Sequence, residues 1–252
     1  MTRINFDELI PKIKVMIVCG GEGTRLKKIT GDKPKCLVNI FGSPLLQRTM
    51  ELCSKQGFKN IVLKCGYGYQ DIYNYFKDGF YYGVNIEYMQ EKSLLGTAGG
   101  LHRYHHKIYP VIIIYGDILT NIDLKQLIKF HYEKKSSCTI VVRKSDHPED
   151  SDVVVVNKYR KVIKTIHKPG TKEYGNLCNA ALYMINPECF MVVPKGGEYD
   201  FGDDMVPDLI KKGFNVYAYS NPKDYIKDIG TPDRYNQGLM EFYKIMSRRK
   251  NG

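Results

Sequence analysis

One short stretch constrains this 252-residue chain more than any other. The apolar run Ile13-Lys14-Val15-Met16-Ile17-Val18 breaks directly into Cys19-Gly20-Gly21-Glu22-Gly23-Thr24-Arg25-Leu26. A buried strand that ends in glycines lets backbone N–H groups approach an anion, and glycine adopts the backbone angles such a turn needs. With Arg25 and Lys35 following, the segment reads as a seat for a nucleoside triphosphate. It is not a P-loop: Gly23-Thr24-Arg25 stands where Gly-Lys-Ser/Thr would put a lysine on the phosphates and a hydroxyl on magnesium. The next apolar run, Ile61-Val62-Leu63, ends in Lys64-Cys65-Gly66 and lacks the acidic residue that holds a ribose, which points away from NAD. Taken alone, the loop is equally a structural tight turn.

Apolar runs alternate with helical patterns along the chain, the order that builds a sheet with helices on both faces. Strands are expected at 13–19, 60–65, 84–89, 110–115 and 138–143, and helices at 44–57, 69–77, 97–106, 123–135 and 232–247. Ser43 and Pro44 read as cap and first residue of the first helix, with Gly57 closing it. After about residue 150 the runs shorten, to 152–157, 162–166 and 178–184, which suggests a small inserted β-sheet over one side of the core. The fold expected is a Rossmann-like, three-layer α/β domain with a mixed, mostly parallel central sheet.

At 43% hydrophobic residues, the chain carries enough apolar side chains for a full core. No apolar run approaches the roughly 20 residues of a membrane span, and the N-terminus MTRINFDELIPK lacks a signal-peptide core, so a cytoplasmic protein with no membrane partner is expected. Seven scattered cysteines without a CxxC pair read as reduced thiols, with neither disulfide framework nor zinc site. The net charge of +11 comes from lysines spread along the chain, which favours a solvated surface that attracts small anions over a nucleic-acid stripe. Only Ser247-Arg248-Arg249-Lys250 is a local basic cluster, read as a mobile end.

The run GGEGTRL, with Pro34-Lys35 ten residues after the arginine, resembles the GGxGTRL…PKPL signature of the sugar-1-phosphate nucleotidylyltransferases. Four further segments match in order: Leu95-Gly96-Thr97-Ala98-Gly99-Gly100, Tyr115-Gly116-Asp117, Asn179-Ala180-Ala181-Leu182-Tyr183 and Lys227-Asp228-Ile229-Gly230-Thr231-Pro232. The resemblance covers roughly residues 13 to 240 and lies near the heptose- and mannose-1-phosphate guanylyltransferase branch. It implies the nucleotide-diphospho-sugar transferase fold as one domain, with a nucleotide-binding half at about 12–120, a sugar-phosphate half at about 121–240 and a basic tail at 241–252. The hexapeptide repeats or second enzyme domain of some relatives are missing, which argues against a bifunctional acetyltransferase.

The activity implied is transfer of a nucleotidyl group from an NTP to a sugar 1-phosphate, with Mg2+ or another divalent cation. Asp117 closes a buried strand at the carboxyl edge of the sheet, where open α/β folds bind ligands, and Asp228 supplies a second carboxylate; both are expected metal ligands. Read alone, Asp117 is as readily a helix cap. Arg25 and Lys35 would take the triphosphate, although Lys27, Lys28 and Lys33 lie nearby. Gly20, Gly21, Gly23, Thr24, Gly96 and Thr97 would let the backbone approach the nucleotide. Cys36 replaces the usual proline and reads as a packing substitute.

Glu91, five residues before Gly96, would face the base. A carboxylate accepts only, which matches the adjacent N–H donors of guanine and favours GTP, whereas a slip to Gln90 would favour uracil. Lys168 and Asn179 would hold the sugar phosphate. His167 stands where relatives carry a glutamate, so another carboxylate, such as one from Asp200-Phe201-Gly202-Asp203-Asp204, would have to serve; that run reads first as a helix N-terminus. His102, His105 and His106 at helical spacing, and Tyr67, Tyr69, Tyr73, Tyr75, Tyr81 and Tyr82, read as packing residues before metal ligands or base-stacking platforms. A homo-oligomer is compatible with the sequence. The alternatives are uridylyl transfer to N-acetylglucosamine 1-phosphate or a related hexose phosphate and, from another class, a nucleotide-sensing or RNA-binding protein.

Overall fold

Side chains of the first strand alternate between two cores: Val15 and Ile17 pack into one apolar cluster, Met16 and Val18 into another. A strand buried on both faces has no polar side to show, which is why this segment reads as an unbroken apolar run. The computed structural model describes residues 5–250 apart from 92 and 94. In it β1 (Lys14–Val18), β2 (Asn60–Cys65), β3 (Asn85–Gln90) and β4 (Val111–Tyr115) form a parallel set in the spatial order β3-β2-β1-β4. Helices α1 (Leu45–Lys55) and α2 (Tyr69–Phe76) belong to its crossovers.

The short β5 (Ile118–Thr120) and α3 (Leu124–Glu133) lead into β6 (Cys138–Lys144). The hairpin β7 (Val153–Val156) and β8 (Val162–Ile166) comes next, then the long β9 (Leu177–Ile185). β9 runs antiparallel between β4 and β6, and β10 (Val216–Tyr219) closes the far side parallel to β6. The inserted sheet expected from the shorter runs is joined to the main one: β9 outruns β4, and its Cys178 pairs with Val153 of the hairpin, giving nine strands in all. Two separate two-stranded antiparallel sheets lie elsewhere, one from Asn39–Ile40 with Ser43–Pro44, the other from β5 with β11 (Ile226–Asp228). Helices α4 (Val206–Lys211) and α5 (Pro232–Lys250) complete the order.

Helix ends follow local chemistry where it is free to act. The Asp123 carboxylate accepts from the N–H groups of Lys125 and Gln126 and starts α3. Gly57, at φ 95°, ends α1 as expected, with the Phe58 N–H returning to the Cys53 carbonyl. Ser43 and Pro44 do not start α1 as cap and first residue. They lie in the strand pair with Asn39–Ile40, and the helix begins at Leu45. The segment 97–106 is likewise not one helix: the N–H groups of Ala98 and Gly99 bond the Tyr199 carbonyl, and only a 3-10 turn, Leu101–His106, follows. Gly96 and Gly100, at φ 71° and 73°, both precede that turn. At the other end, α5 continues through the basic cluster that was read as a mobile end; the side chains of residues 248–250 lie outside the described residues, as do residues 251 and 252. Among the described residues no helix is long and apolar enough to cross a membrane.

Candidate active site

The glycine-rich loop leaves β1 at the carboxyl edge of the parallel strands. Gly23 has φ 65°, and a β-carbon there would lie 2.7 Å from Cβ of Lys35, so side-chain-free backbone is what lets Lys35 pack against the loop. The double glycine before it spans two ends of the site: a β-carbon on Gly20 would lie 3.9 Å from Oε2 of Glu91, and one on Gly21 3.6 Å from Nζ of Lys35. Cys36 is fully buried beneath the loop beside Cys19, as its packing role requires. Bonding to the Cys36 and Cys65 thiols, together with burial, pushes the Cys19 thiol well above its usual value, so this group is inert.

Lys35 leaves the loop toward Asp117, its Nζ donating to Oδ2 at 2.6 Å. Burial opposes the charge on Lys35, yet the Asp117 carboxylate, with Asp228 beyond it, holds the ammonium above the ordinary lysine value. Pairing of β5 with β11 sets Asp228 opposite Ile118, and the Ile229 N–H bonds the Asp117 carbonyl, which brings the two carboxylates together. Asp228 accepts from Nη1 of Arg234 and from the Gly230 N–H, both at 2.6 Å. A β-carbon on Gly230 would meet Oδ1 of Asp228 at 2.9 Å, Oδ2 of Asp117 at 3.5 Å and Nη2 of Arg25 at 3.9 Å. Gly230 is thus the hub on which Arg25 and both carboxylates converge. Arg25 and Thr24 are exposed, while Lys27 turns to Asp32 at the surface. Beside Asp228 opens a cavity of about 940 Å³ lined by charges of both signs, Arg143, Arg160, Lys227 and Arg234 with Asp146, Asp224 and Glu241.

At the other end of the loop, Glu91 is held by Lys64, whose Nζ donates to Glu91 Oε2 and to the Gly96 carbonyl, each at 2.7 Å. Burial lowers the Lys64 pKa, with Glu91 opposing the shift. The other carboxylate oxygen, Oε1, is buried and accepts no hydrogen bond among the described residues. Gln90 is exposed. Thr97, expected to offer its backbone to a base, instead ties protein segments together. Its N–H and hydroxyl both donate to Oδ1 of Asp200, at 2.8 and 2.7 Å. The hydroxyl in turn accepts from the Tyr115 hydroxyl and the Phe201 N–H.

The chain carrying this site matches the Nucleotidyl transferase family model over residues 14–244. It belongs to that family. Relatives include a UTP–glucose-1-phosphate uridylyltransferase of Synechocystis (31% identical, 90% of this chain, 62% of the relative) and a mannose-1-phosphate guanylyltransferase of Mycobacterium tuberculosis (26%, 92% and 65%). A D-glycero-α-D-manno-heptose 1-phosphate guanylyltransferase of Aneurinibacillus thermoaerophilus is 28% identical over 91% of this chain and 98% of its own. The chain therefore spans somewhat under two thirds of the first two relatives and nearly all of the third. Among solved structures, HddC from Yersinia pseudotuberculosis superposes with a TM-score of 0.77 at 26% identity, covering 91% of this chain and 99% of HddC. HddC complexed with GMP-PN gives 0.76.

In this family member the structure brings Arg25, Lys35, Asp117 and Asp228 to one centre and runs Gly20 and Gly21 from it to Glu91. Asn179 lies farther along β9, where the pairing register slips and Ala181 takes φ 54°. Its Oδ1 accepts the Ala181 N–H freed by that bulge, and its Nδ2 donates to the Tyr183 hydroxyl. Lys168 is exposed beyond β8, at φ 34°. The histidine run is local packing: Nδ1 of His105 bonds the His102 carbonyl, and the His106 side chain lies outside the described residues. Tyr69, Tyr73 and Tyr88 form a ring cluster, as do Tyr75, Phe76 and Tyr82. Sequence reasoning missed Lys64 and Arg234. A lysine inside the apolar run Ile61–Cys65 was a signal for the first; nothing marked the second.

Proposed function

We propose that this chain transfers a nucleotidyl group from an NTP, GTP in the first instance, to a sugar 1-phosphate, giving an NDP-sugar and pyrophosphate. The observation that carries the reading is the convergence of Asp117, Asp228 and Arg25 on Gly230 with Lys35 hydrogen-bonded to Asp117. Two carboxylates sharing one hub, each balanced by a protein cation, are the oxygen donors that a hard divalent ion such as Mg2+ takes, so Asp117 and Asp228 fit as its ligands. A cation held there would neutralise phosphate charge as pyrophosphate departs.

The remaining work falls to side chains. Arg25 is exposed beside the hub and presents a planar fork to phosphate oxygens. Lys35 and Arg234 balance the carboxylates here and become available to phosphate oxygens once that charge is balanced otherwise. In the step they serve, an oxygen of the sugar phosphate bonds to the α-phosphorus, the bond from that phosphorus to the bridging oxygen breaks, and pyrophosphate carries away the electron pair. Positioning of two polyanions against their mutual repulsion is the main catalytic demand.

Guanine is supported by Glu91. Lys64 occupies one of its oxygens, leaving Oε1 to accept from a donor edge, which guanine presents and the carbonyl-flanked N–H of uracil does not match as well. Gln90, by contrast, is exposed and has no lysine holding it in place among the described residues. The heptose-phosphate relative and the HddC complex are guanylyl in name and in bound nucleotide, respectively. The test is pyrophosphate release with magnesium, crossing GTP, UTP, dTTP, CTP and ATP against heptose, mannose, glucose and N-acetylglucosamine 1-phosphates. Turnover with GTP supports the reading. Turnover with UTP replaces the base assignment, and binding that needs no metal and falls steeply with salt, without turnover, replaces the class.

A further inference from the structure

We infer that the cavity beside Asp228 is a second ligand site, suited to a small hydroxyl-bearing molecule with a single phosphate group. At about 940 Å³ it has room for a small metabolite. Its walls come from the end of β6, the turn of the β7–β8 hairpin, the segment after β10, β11 and one face of α5. The glycine loop, Lys35, Asp117, Glu91, Lys168 and Asn179 take no part in the lining, so the cavity meets the candidate metal ligands only at Asp228. Most of the charges on its walls are already matched. Nη1 of Arg234 bonds Asp228, and Nζ of Lys227 bonds both carboxylate oxygens of Glu241, which also takes the Tyr225 hydroxyl and the Gln237 amide. Asp224 accepts from the Tyr219 hydroxyl, the Asn221 amide and the Asp123 N–H. Asp146 is exposed and forms no ion pair among the described residues.

Two arginines on these walls have no acid. Arg143, half-buried at the end of β6, makes no hydrogen bond or ion pair among the described residues. Arg160 bonds neutral oxygens only, Nε to the Ala218 carbonyl at 2.7 Å and Nη2 to the Ser220 hydroxyl at 2.9 Å. Its backbone takes φ 67°, a left-handed conformation that residues with a β-carbon avoid. The hairpin turn is braced in that state, because the Arg160 carbonyl accepts the Ala218 N–H while Nε donates back to the Ala218 carbonyl. Strain maintained in this way keeps a guanidinium at the cavity wall. Burial lowers the Arg160 pKa with no carboxylate to offset it, and a bound anion supplies that offset. A planar guanidinium matches phosphate oxygens, so Arg143 and Arg160 define the anionic end of the ligand. The other walls set what accompanies the phosphate. The carboxylates of Asp146 and Asp224 and the amide of Asn176 accept from hydroxyl groups, while the carboxylates, Asp228 and Glu241 included, disfavour a polyphosphate. A monophosphate ester or free phosphate is therefore preferred over a triphosphate or pyrophosphate.

Isothermal titration calorimetry of the full chain, without substrates, tests this with inorganic phosphate and with ribose 5-phosphate, an ester whose phosphate lies away from the anomeric carbon. The expected result is binding of at least one of them that weakens roughly tenfold or more in Arg143→Met, the effect of losing a hydrogen bond to a charged group. The same binding should stay within about twofold in Lys35→Ala and Lys168→Ala, which alter the nucleotidyl-transfer site. Arg143→Gln is the second variant should the first misfold. Tighter binding of ribose 5-phosphate supports an ester as the ligand, and inorganic phosphate bound at least as tightly supports free phosphate. Absence of binding by either at millimolar concentration, or undiminished binding in a folded Arg143 variant, overturns the inference. Binding lost in Lys168→Ala and kept in Arg143→Met assigns the phosphate to the acceptor site and overturns it too. Nucleotidyl transfer is not read in this assay, so each of these results leaves the proposed function as it stands.

Discussion

Replacing Lys64 by methionine keeps the apolar stem and removes the charge from a pair that is almost wholly shielded: the side chains of Lys64 and Glu91 are 1% and 8% exposed. Removing one partner of a buried pair costs about 3–5 kcal/mol, because the other charge is left uncompensated. The Gly96 carbonyl, which also loses its donor, adds roughly 1 kcal/mol. The deficit should therefore be about 4–6 kcal/mol. Urea unfolding of wild type and variant at pH 7 measures the difference. Lys64→Met combined with Glu91→Leu should recover most of it, since a buried pair replaced as a unit is near neutral. A single-variant loss below about 1 kcal/mol, or a double variant no more stable than the single one, refutes the shielded-pair argument.

Asp117→Asn should lower kcat at least about a hundredfold with the far-ultraviolet circular dichroism unchanged; near-normal turnover would remove Asp117 from the metal set. Lys168→Ala should raise the KM for the sugar 1-phosphate more than that for the NTP, and the reverse pattern would move this lysine to the triphosphate. His131 is buried with its ring nitrogens bonded to Thr139 and Asn186, and burial lowers its pKa to about 4. The unfolded chain binds this proton near pH 6.5 and the folded one near 4, so stability should fall by roughly 3 kcal/mol on acidification through that window. In His131→Gln that component of the pH dependence disappears; an unchanged slope in urea titrations across the window would assign it to another group.

The strands were legible because burial on both faces of β1, β2 and β4 leaves a continuous apolar run bounded by polar residues and glycine. Helix 97–106 was misread for a tertiary reason: the Tyr199 carbonyl, a hundred residues away, takes the N–H groups that a helix would have used internally. Ser43-Pro44 was misread because its strand pairing with Asn39–Ile40 outweighed the capping preference of serine. At the site, motif order brought out Lys35, Asp117 and Asp228, but not what touches them. Arg234 reaches Asp228 from the first turn of α5, six residues along the chain, and Asp152 meets His167 because the register of the β7–β8 hairpin pairs their neighbours Val153 and Ile166. Contacts of that kind depend on where chain segments end up, which local spacing does not encode.

The knot of hydrogen bonds at Thr97 has a thermodynamic consequence as well as a shape. Through Asp200 and Phe201 it fastens the segment holding Glu91 and Gly96 to the segment holding Gly202 and Asp203. On the proposed function, a nucleotide on one side of this knot and a sugar phosphate on the other would be coupled through it, and that coupling would act equally in both directions, each ligand changing the affinity for its companion by an identical factor.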